Sequence, residues 1–339
     1  MNRFNKIFVV TLFNYATGGV ELCHQLVDYL RRRRVDAYIV YMKDNKISEN
    51  QTVTEAYKCY DVKSSSMIED EENNLLVLPE VFFDLMYDYN RMKIGCWWMS
   101  VDNRYSNASL RDKLMFKPSV TKWYKLLTRY VKYPERRNKN SIRDFKRQSS
   151  RLYHFYQSCY AQMHLYSKGL EKVIPLTDYI NVDFVKHENA EKTDIVLYNP
   201  SKGYKFTKKV MAKLPDVKFV PLRNLDRQQL SELLVKAKLY IDFGHFPGKD
   251  RLPREAVISG CCVITGTEGA SFFYEDMPID SKYKIKQSLS NIPAIADRIK
   301  YVLAHYDECK GDFDYYRSQV LSEKDRFIRE IESFFFISK

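Results

Sequence analysis

Apolar and polar positions change rhythm repeatedly along the chain. Lys6 to Phe13 is an almost unbroken apolar run, which reads as a strand buried on both faces. Gly19 to Arg34 shifts to helical spacing, and Asp36 to Met42 returns to strand. Leu75 to Leu78 and Lys93 to Ser100 are two more short strands with little alternation. Leu152 to Gln157 reads as a strand, Ser158 to Lys168 as a helix capped by Ser158, and Val173 to Leu176 as a closing strand. A second series follows at Thr193 to Tyr198, Val217 to Val220, Leu239 to Phe243 and Cys261 to Thr265, with helical stretches between. Ser318 to Phe335 is amphipathic and is expected to fold back over the first series. Doubly buried strands alternating with helices predict an α/β fold with parallel, doubly wound sheets.

A chain of 339 residues with 45% hydrophobic content exceeds one ordinary core, so two domains are expected. The composition places them at 1–185 and 186–317, with a terminal helix at 318–339 and a linker near Lys186 to Lys192. Open parallel sheets bind ligands at the carboxyl ends of their strands, and a cleft where two such domains face each other is the expected site. Seven cysteines, an odd number without a C-x-x-C pair, favour neither a disulfide framework nor a zinc site and point to a reducing cytoplasm. The apolar run from Ile7 to Phe13 is interrupted by Asn14 and lacks a cleavage site, so a buried strand explains it better than a signal peptide. No stretch approaches the ~20 apolar residues that cross a bilayer.

Charge changes this picture in one place. Between Arg104 and Arg151 fifteen basic residues face three acidic ones, and that segment alone carries the chain's net charge of +12. Phe116, Trp123, Tyr124, Leu126, Leu127, Tyr130, Val131 and Tyr133 are interleaved at helical spacing. A basic amphipathic insertion of this kind suits an anionic membrane surface. A helix pair with simply solvated charges fits the same pattern. Nucleic-acid binding, which basic residues among aromatics also suit, ranks below both.

Three turns carry candidate chemistry. Thr17-Gly18-Gly19-Val20-Glu21 lies between the first strand and the first helix, where Gly18 and Gly19 let backbone and helix N-terminus approach a phosphate. The run from Asn199 through Lys202 and Lys205 follows the first strand of the second series and offers cations at another helix start. The third turn follows Phe243 and carries His245, Lys249, Asp250 and Arg251. A helix is expected to open near Pro253 with Arg254 and Glu255 in its first turn and to end at Gly260. So much charge is unnecessary for connection and reasonable for holding a charged ligand. Asp102 and Glu80 each follow a strand and are candidate general bases, Asp102 first, although either carboxylate also suits a turn cap. His245 is the second catalytic candidate after Asp102, whereas Trp97 and Trp98 read as core.

The stretch from Tyr240 to Thr265 resembles the Gly-Phe-Gly…Glu-Ala…Gly-x-Pro-Val-Ile segment of GT-B glycosyltransferases, and Pro-Gly-Lys-Asp-Arg-Leu-Pro-Arg-Glu-Ala resembles a family 4-like subgroup of bacterial surface-polysaccharide enzymes. The similarity extends to Thr17–Glu21, to Asn199–Lys205, and to Gln157-Ser158 with Leu176–Phe184 as the interdomain segment. It implies two Rossmann-like domains across a cleft and transfer of a sugar from a nucleotide-diphosphate donor to a glycan or lipid-linked acceptor. It also implies a cytoplasmic enzyme, peripheral on the inner membrane face, with no further cofactor, no metal and no nucleic-acid partner. By this resemblance Glu255 accepts from the donor ribose, Lys202 and Lys205 meet the diphosphate, and Gly18, Gly19, Asn199, Lys249, Asp250, Arg251 and Arg254 complete the donor site. One departure stands out: many retaining members carry a glutamate where this chain has Pro247, so the stereochemical course is open and Asp250 is a substitute to consider. A sugar-nucleotide epimerase and a non-catalytic subunit on the same architecture are the rival readings.

Overall fold

Among the described residues eleven strands form two separate sheets. The computed structural model describes residues 1–44, 46–107, 112–113, 127–128, 131–132, 140–181 and 191–337. They fall into two units, Met1–Asp178 with Arg326–Lys339, and Tyr179–Asp325.

The first unit holds a seven-stranded sheet of order β3-β2-β1-β4-β5-β6-β7. Its strands are β1 (Lys6–Leu12), β2 (Asp36–Lys43), β3 (Lys46–Ile47), β4 (Leu75–Pro79), β5 (Lys93–Trp98), β6 (Leu152–Tyr156) and β7 (Val173–Pro175). All pair in parallel except β3, a two-residue antiparallel edge on β2. The apolar runs are buried on both faces, as a doubly wound sheet requires. Alternate residues Phe8, Val10, Leu76, Leu78, Ile94, Cys96 and Trp98 share one core with Phe83, Phe145 and Leu165. α1 (Gly18–Arg32) follows β1, α2 (Val101–Asn107) follows β5, α3 (Ile142–Arg147) precedes β6, and α4 (Cys159–Ser167) follows it. Ser158 caps α4 as its sequence indicates, its Oγ accepting from Ala161 N at 3.1 Å.

The basic insertion lies largely outside the described residues, and the parts within them do not behave alike. Arg104 is fully buried, its guanidinium 3.1 Å from Asp112 and donating to Asn140 O at 2.7 Å, with the rings of Trp98, Tyr105 and Phe145 around it. Arg151 donates to the carbonyls of Met86 and Tyr89, both at 2.7 Å. These two arginines tie loops to the sheet and do not belong to a surface patch, whereas Leu127 and Val131 are exposed.

The second unit holds a four-stranded parallel sheet of order β11-β10-β8-β9. It is built from β8 (Thr193–Tyr198), α5 (Tyr204–Met211), β9 (Lys218–Pro221), α6 (Arg227–Lys236), β10 (Ala237–Asp242), α7 (Arg251–Ile258) and β11 (Cys262–Thr265). α8 (Ile292–Ala304) follows. Residues 186–190 of the expected linker lie outside the described residues. Lys192 at its end is no linker residue, because its ammonium donates to the carbonyls of Leu234, Ala237 and Ser259 at 3.2, 3.0 and 2.7 Å.

The amphipathic segment from Ser318 is two helices, α9 (Asp314–Leu321) and α10 (Glu323–Phe335), with Ser322 closing the first. Periodicity spans the break because both pieces bury one side. The break turns Glu323 inward, to 1% exposure. The end of α10 packs in the first unit: Phe334 lies 4.8 Å from Phe155 and 5.0 Å from Tyr153 between ring centroids, and Glu330 accepts from Thr177 N at 2.7 Å. Among the described residues no helix is long and apolar enough to cross a membrane. Cys23, Cys96, Cys261, Cys262 and Cys309 are buried thiols, and burial pushes Cys23 and Cys96 up to about 12.

Two imidazoles of the first unit, His154 buried and His164 half-buried, lie beside Trp98. Trp98 Nε1 donates to His154 Nδ1 at 3.2 Å, and burial lowers His154 and His164 to about 4. The unfolded chain, near the ordinary 6.5, binds these protons first, so stability is full above that value and falls as pH drops from about 6.5 toward 4. Glu80, which burial raises to about 7, acts in the opposite sense over the same range, so the imidazole contribution is read by difference: between pH 7.5 and 5 the urea midpoint of the wild type is expected to fall relative to that of His154→Gln. Equal slopes in the two proteins would remove His154 as a cause.

Candidate functional site

The chemistry-bearing turns of the second unit sit at the carboxyl ends of β8 and β10. After β8, Asn199 Oδ1 accepts from Ser201 N at 2.9 Å and closes a local turn. Gly203 then adopts φ +65°, in the left-handed region, and opens α5. A Cβ at Gly203 would come within 2.5 Å of the Phe243 carbonyl and Gly244 N, and a Cβ at Gly244 would meet the Lys202 stem at 2.5 Å. Two glycines therefore let the turns touch backbone to backbone.

Lys202 crosses at that contact. Its ammonium lies 3.5 Å from Asp242, is ion-paired with Asp250 and sits 3.7 Å from the centroid of Phe246. Asp242 is buried and also accepts from Tyr240 Oη at 2.9 Å and Gly244 N at 2.8 Å. Burial raises its pKa, and Lys202 with the Gly244 amide opposes that rise. The turn is pinned from the far side: Phe246 N donates to Glu268 O at 3.1 Å, and Ala270 N to Phe246 O at 2.8 Å. His245 Nδ1 stands 4.0 Å from Glu268 Oε2.

α7 begins at Arg251, two residues before Pro253. A proline in the first turn costs little because its missing N–H has no partner within the helix. Arg254 and Glu255 therefore lie beyond the first turn, where their side chains meet the body of the unit. Arg254 is fully buried, its Nη1 2.8 Å from Glu323 Oε2, and Lys249 Nζ lies 2.6 Å from Glu323 Oε1. Arg254 also donates to Asp250 O at 3.1 Å and Lys249 O at 3.0 Å. Arg251 Nε is 3.5 Å from Glu255 Oε1, and Lys205 is exposed.

The structure thus gathers Lys202, His245, Lys249, Asp250, Arg251, Arg254 and Glu255 around two touching turns, with Lys249 and Arg254 directed to Glu323. Sequence reading missed Asp242, Phe246 and Glu323. An aspartate ending an otherwise apolar strand was a visible signal for Asp242. Glu323 gave none, because its partners lie 69 and 74 positions away in an unrelated loop.

In the first unit, Gly18 and Gly19 open α1, and Thr17 makes no side-chain cap. A Cβ on Gly19 would stand 3.4 Å from Met99 Sδ. Met99 N in turn donates to Glu80 Oε2 at 3.3 Å, so Glu80 links the ends of β4 and β5. Burial raises the Glu80 carboxyl to about 7, against the opposing hydrogen bonds of its own and the Met99 and Ser100 amides and the Asn103 side chain. Asp102 is half-buried near the start of α2. Among the described residues no group of three carboxylate, imidazole or thiol side chains could hold a metal ion.

No family model matches the sequence, and no curated protein does. Solved structures do match in fold. The chain is similar to a sucrose-phosphate synthase from Thermosynechococcus elongatus at 12% identity, covering 97% of this chain and 99% of that one with a TM-score of 0.61. A glycosyltransferase from Rickettsia africae matches at 13% identity over 97% of this chain and 98% of that one, TM-score 0.63. Anabaena HepE in complex with UDP-glucose matches at 11% over 97% and 100%, TM-score 0.59. The fold is the GT-B type, with two Rossmann-like domains.

Gly203→Ala places a methyl group against backbone at a left-handed position. The conformation alone costs about 1–2 kcal/mol, and the clash adds to it. A lowered melting temperature is expected, and an unchanged one would show that the turns are not in contact.

Proposed function

We propose that the chain is a glycosyltransferase that moves a hexose from a nucleotide-diphosphate donor, held by the second unit, to a lipid-linked glycan acceptor, held by the first. The observation that carries this reading is the meeting of two glycine turns at the ends of β8 and β10, with Lys202 at the N-terminus of α5. A helix N-terminus beside a cation is a ready phosphate site. Further support comes from the GT-B fold, which HepE shares and in which that protein binds UDP-glucose.

Lys202 is held between two carboxylates, Asp242 and Asp250. An incoming diphosphate takes the place of Asp250, whose side chain is 26% exposed, while Asp242, fully buried, keeps the lysine in place. Glu255 accepts from the ribose hydroxyls, and Arg251, its partner at 3.5 Å, holds that carboxylate. The acceptor hydroxyl forms its bond to the anomeric carbon as the bond to the diphosphate breaks. In an inverting course the hydroxyl proton passes to Asp102, with His245 the alternative base, and Lys202 with the α5 N-terminus takes up the leaving charge.

The basic insertion, apart from Arg104 and Arg151, is read as the membrane-facing element that brings the enzyme to lipid-linked acceptors in surface-polysaccharide assembly at the cytoplasmic face. Anionic vesicles are expected to retain the protein at low salt and release it at high salt. Absence of binding to such vesicles would remove the membrane reading.

Glu255→Ala is expected to weaken UDP-glucose binding by about tenfold or more in calorimetry, from loss of a charged hydrogen-bond acceptor. Asp102→Asn is expected to lower kcat by about 10²-fold or more with little change in KM. Full transfer activity in both variants would overturn the assignments. Transfer is expected to survive EDTA, and abolition by chelation with recovery on manganese would count against a leaving group neutralised by side chains alone.

A further inference from the structure

We infer that Glu323 is the positioning residue of the charged turn between Gly244 and Arg251, a role that rests on the donor reading above. Glu323 is the first residue of α10 and is 1% exposed. Its two carboxylate oxygens are divided between two cations of the turn: Oε1 lies 2.6 Å from Lys249 Nζ and Oε2 lies 2.8 Å from Arg254 Nη1. Those cations are themselves removed from water, the Lys249 side chain being 7% exposed and that of Arg254 0%. Buried charge of this kind persists only when paired, and the Glu323 carboxylate supplies counter-charge to both.

The consequence reaches the ligand side through Arg254. The guanidinium that Glu323 orients donates to the carbonyls of Lys249 and Asp250, at 3.0 and 3.1 Å. Asp250 is the N-cap residue of α7 and the ion-pair partner of Lys202. Glu323 therefore sets the backbone at Lys249 and Asp250, Asp250 sets the resting place of Lys202, and neither Lys249 nor Arg254 needs to touch the donor for its charge to matter. Local sequence favours reading all the turn's cations as ligand contacts, whereas here two of them fix its shape.

The test uses the full chain with Glu323→Gln, which keeps the volume and a hydrogen-bonding carbonyl and loses the charge. Two quantities are read: amide hydrogen exchange of the ligand-free turn, residues 244–251, and affinity for UDP. Exchange in the turn is expected to rise while strands β1, β4 and β5 keep their protection. UDP binding is expected to weaken about tenfold or more, with kcat at saturating donor nearly unchanged. Adding Lys249→Met to Glu323→Gln removes one uncompensated cation and is expected to restore part of both, which a loss of packing alone would not allow. Should Glu323→Gln fail to fold, Glu323→Asp keeps the charge with a shorter reach and is expected to fall between wild type and Gln in turn exchange. Wild-type exchange in the turn of the folded variants overturns the inference, and so does wild-type UDP affinity in a variant whose turn has loosened. Failure of the wild-type protein itself to bind UDP would count against the donor reading, and the exchange measurement would still decide the role of Glu323.

Discussion

Backbone contact between Gly203 and Gly244 is the constraint from which the second unit's chemistry follows. Parallel strands such as β8 and β10 lie about 4.8 Å apart, so turns leaving their ends are crowded unless side chains are missing at the point of contact. With both positions reduced to hydrogen, the turns close on each other and the Lys202 stem lies along Gly244. That placement delivers the ammonium to Asp242, Asp250 and the face of Phe246 together. A larger residue at either position would separate the cation from all three partners.

Positive charge in this protein is spent on architecture more than its surplus implies. Arg104 and Arg151 belong to the most basic stretch of the chain, yet both hold loop carbonyls beside the first sheet. Lys192 gathers three carbonyls. Arg254 and Lys249 share Glu323. In each case the cation is held by protein oxygens, which meets the demand of buried or half-buried polar groups for partners. Net charge is a property of a segment, whereas the direction in which each cation points is decided by tertiary partners.

The elements were legible because their cause is local. Apolar runs that lose their period when buried on both faces marked every described strand but the two-residue β3 to within two residues, and Ser158 and Gly260 marked a helix start and a helix end. Turn chemistry was legible in part: the cations after Asn199 and the charges after Phe243 marked the turns at the ends of β8 and β10, whereas the glycine contact between 203 and 244 shows only in the fold. Three further features were not visible. The break at Ser322 is hidden because the two helices it separates bury the same side. α7 starts before Pro253 because a first-turn proline is as acceptable at the third position as at the first. Glu323 is hidden because nothing in an amphipathic helix distinguishes a glutamate that faces inward at its first residue.

That last case bears on how a polyanion site is built. Binding a diphosphate with flexible lysines loses side-chain entropy at every contact, and a turn already fixed before the ligand arrives avoids most of that loss. Rigidity in a loop rich in glycine and proline has to come from outside the loop. Here it comes from two directions, the Glu268–Ala270 backbone on Phe246 and the Glu323 carboxylate on Lys249 and Arg254. With both ends fixed, the Lys202–Asp250 pair, whose members are 23% and 26% exposed, can exchange without disturbing the frame. A partly exposed pair resting on a rigid frame is the arrangement in which one anion can replace another at low cost, because the cation keeps its second, buried carboxylate while the first is exchanged.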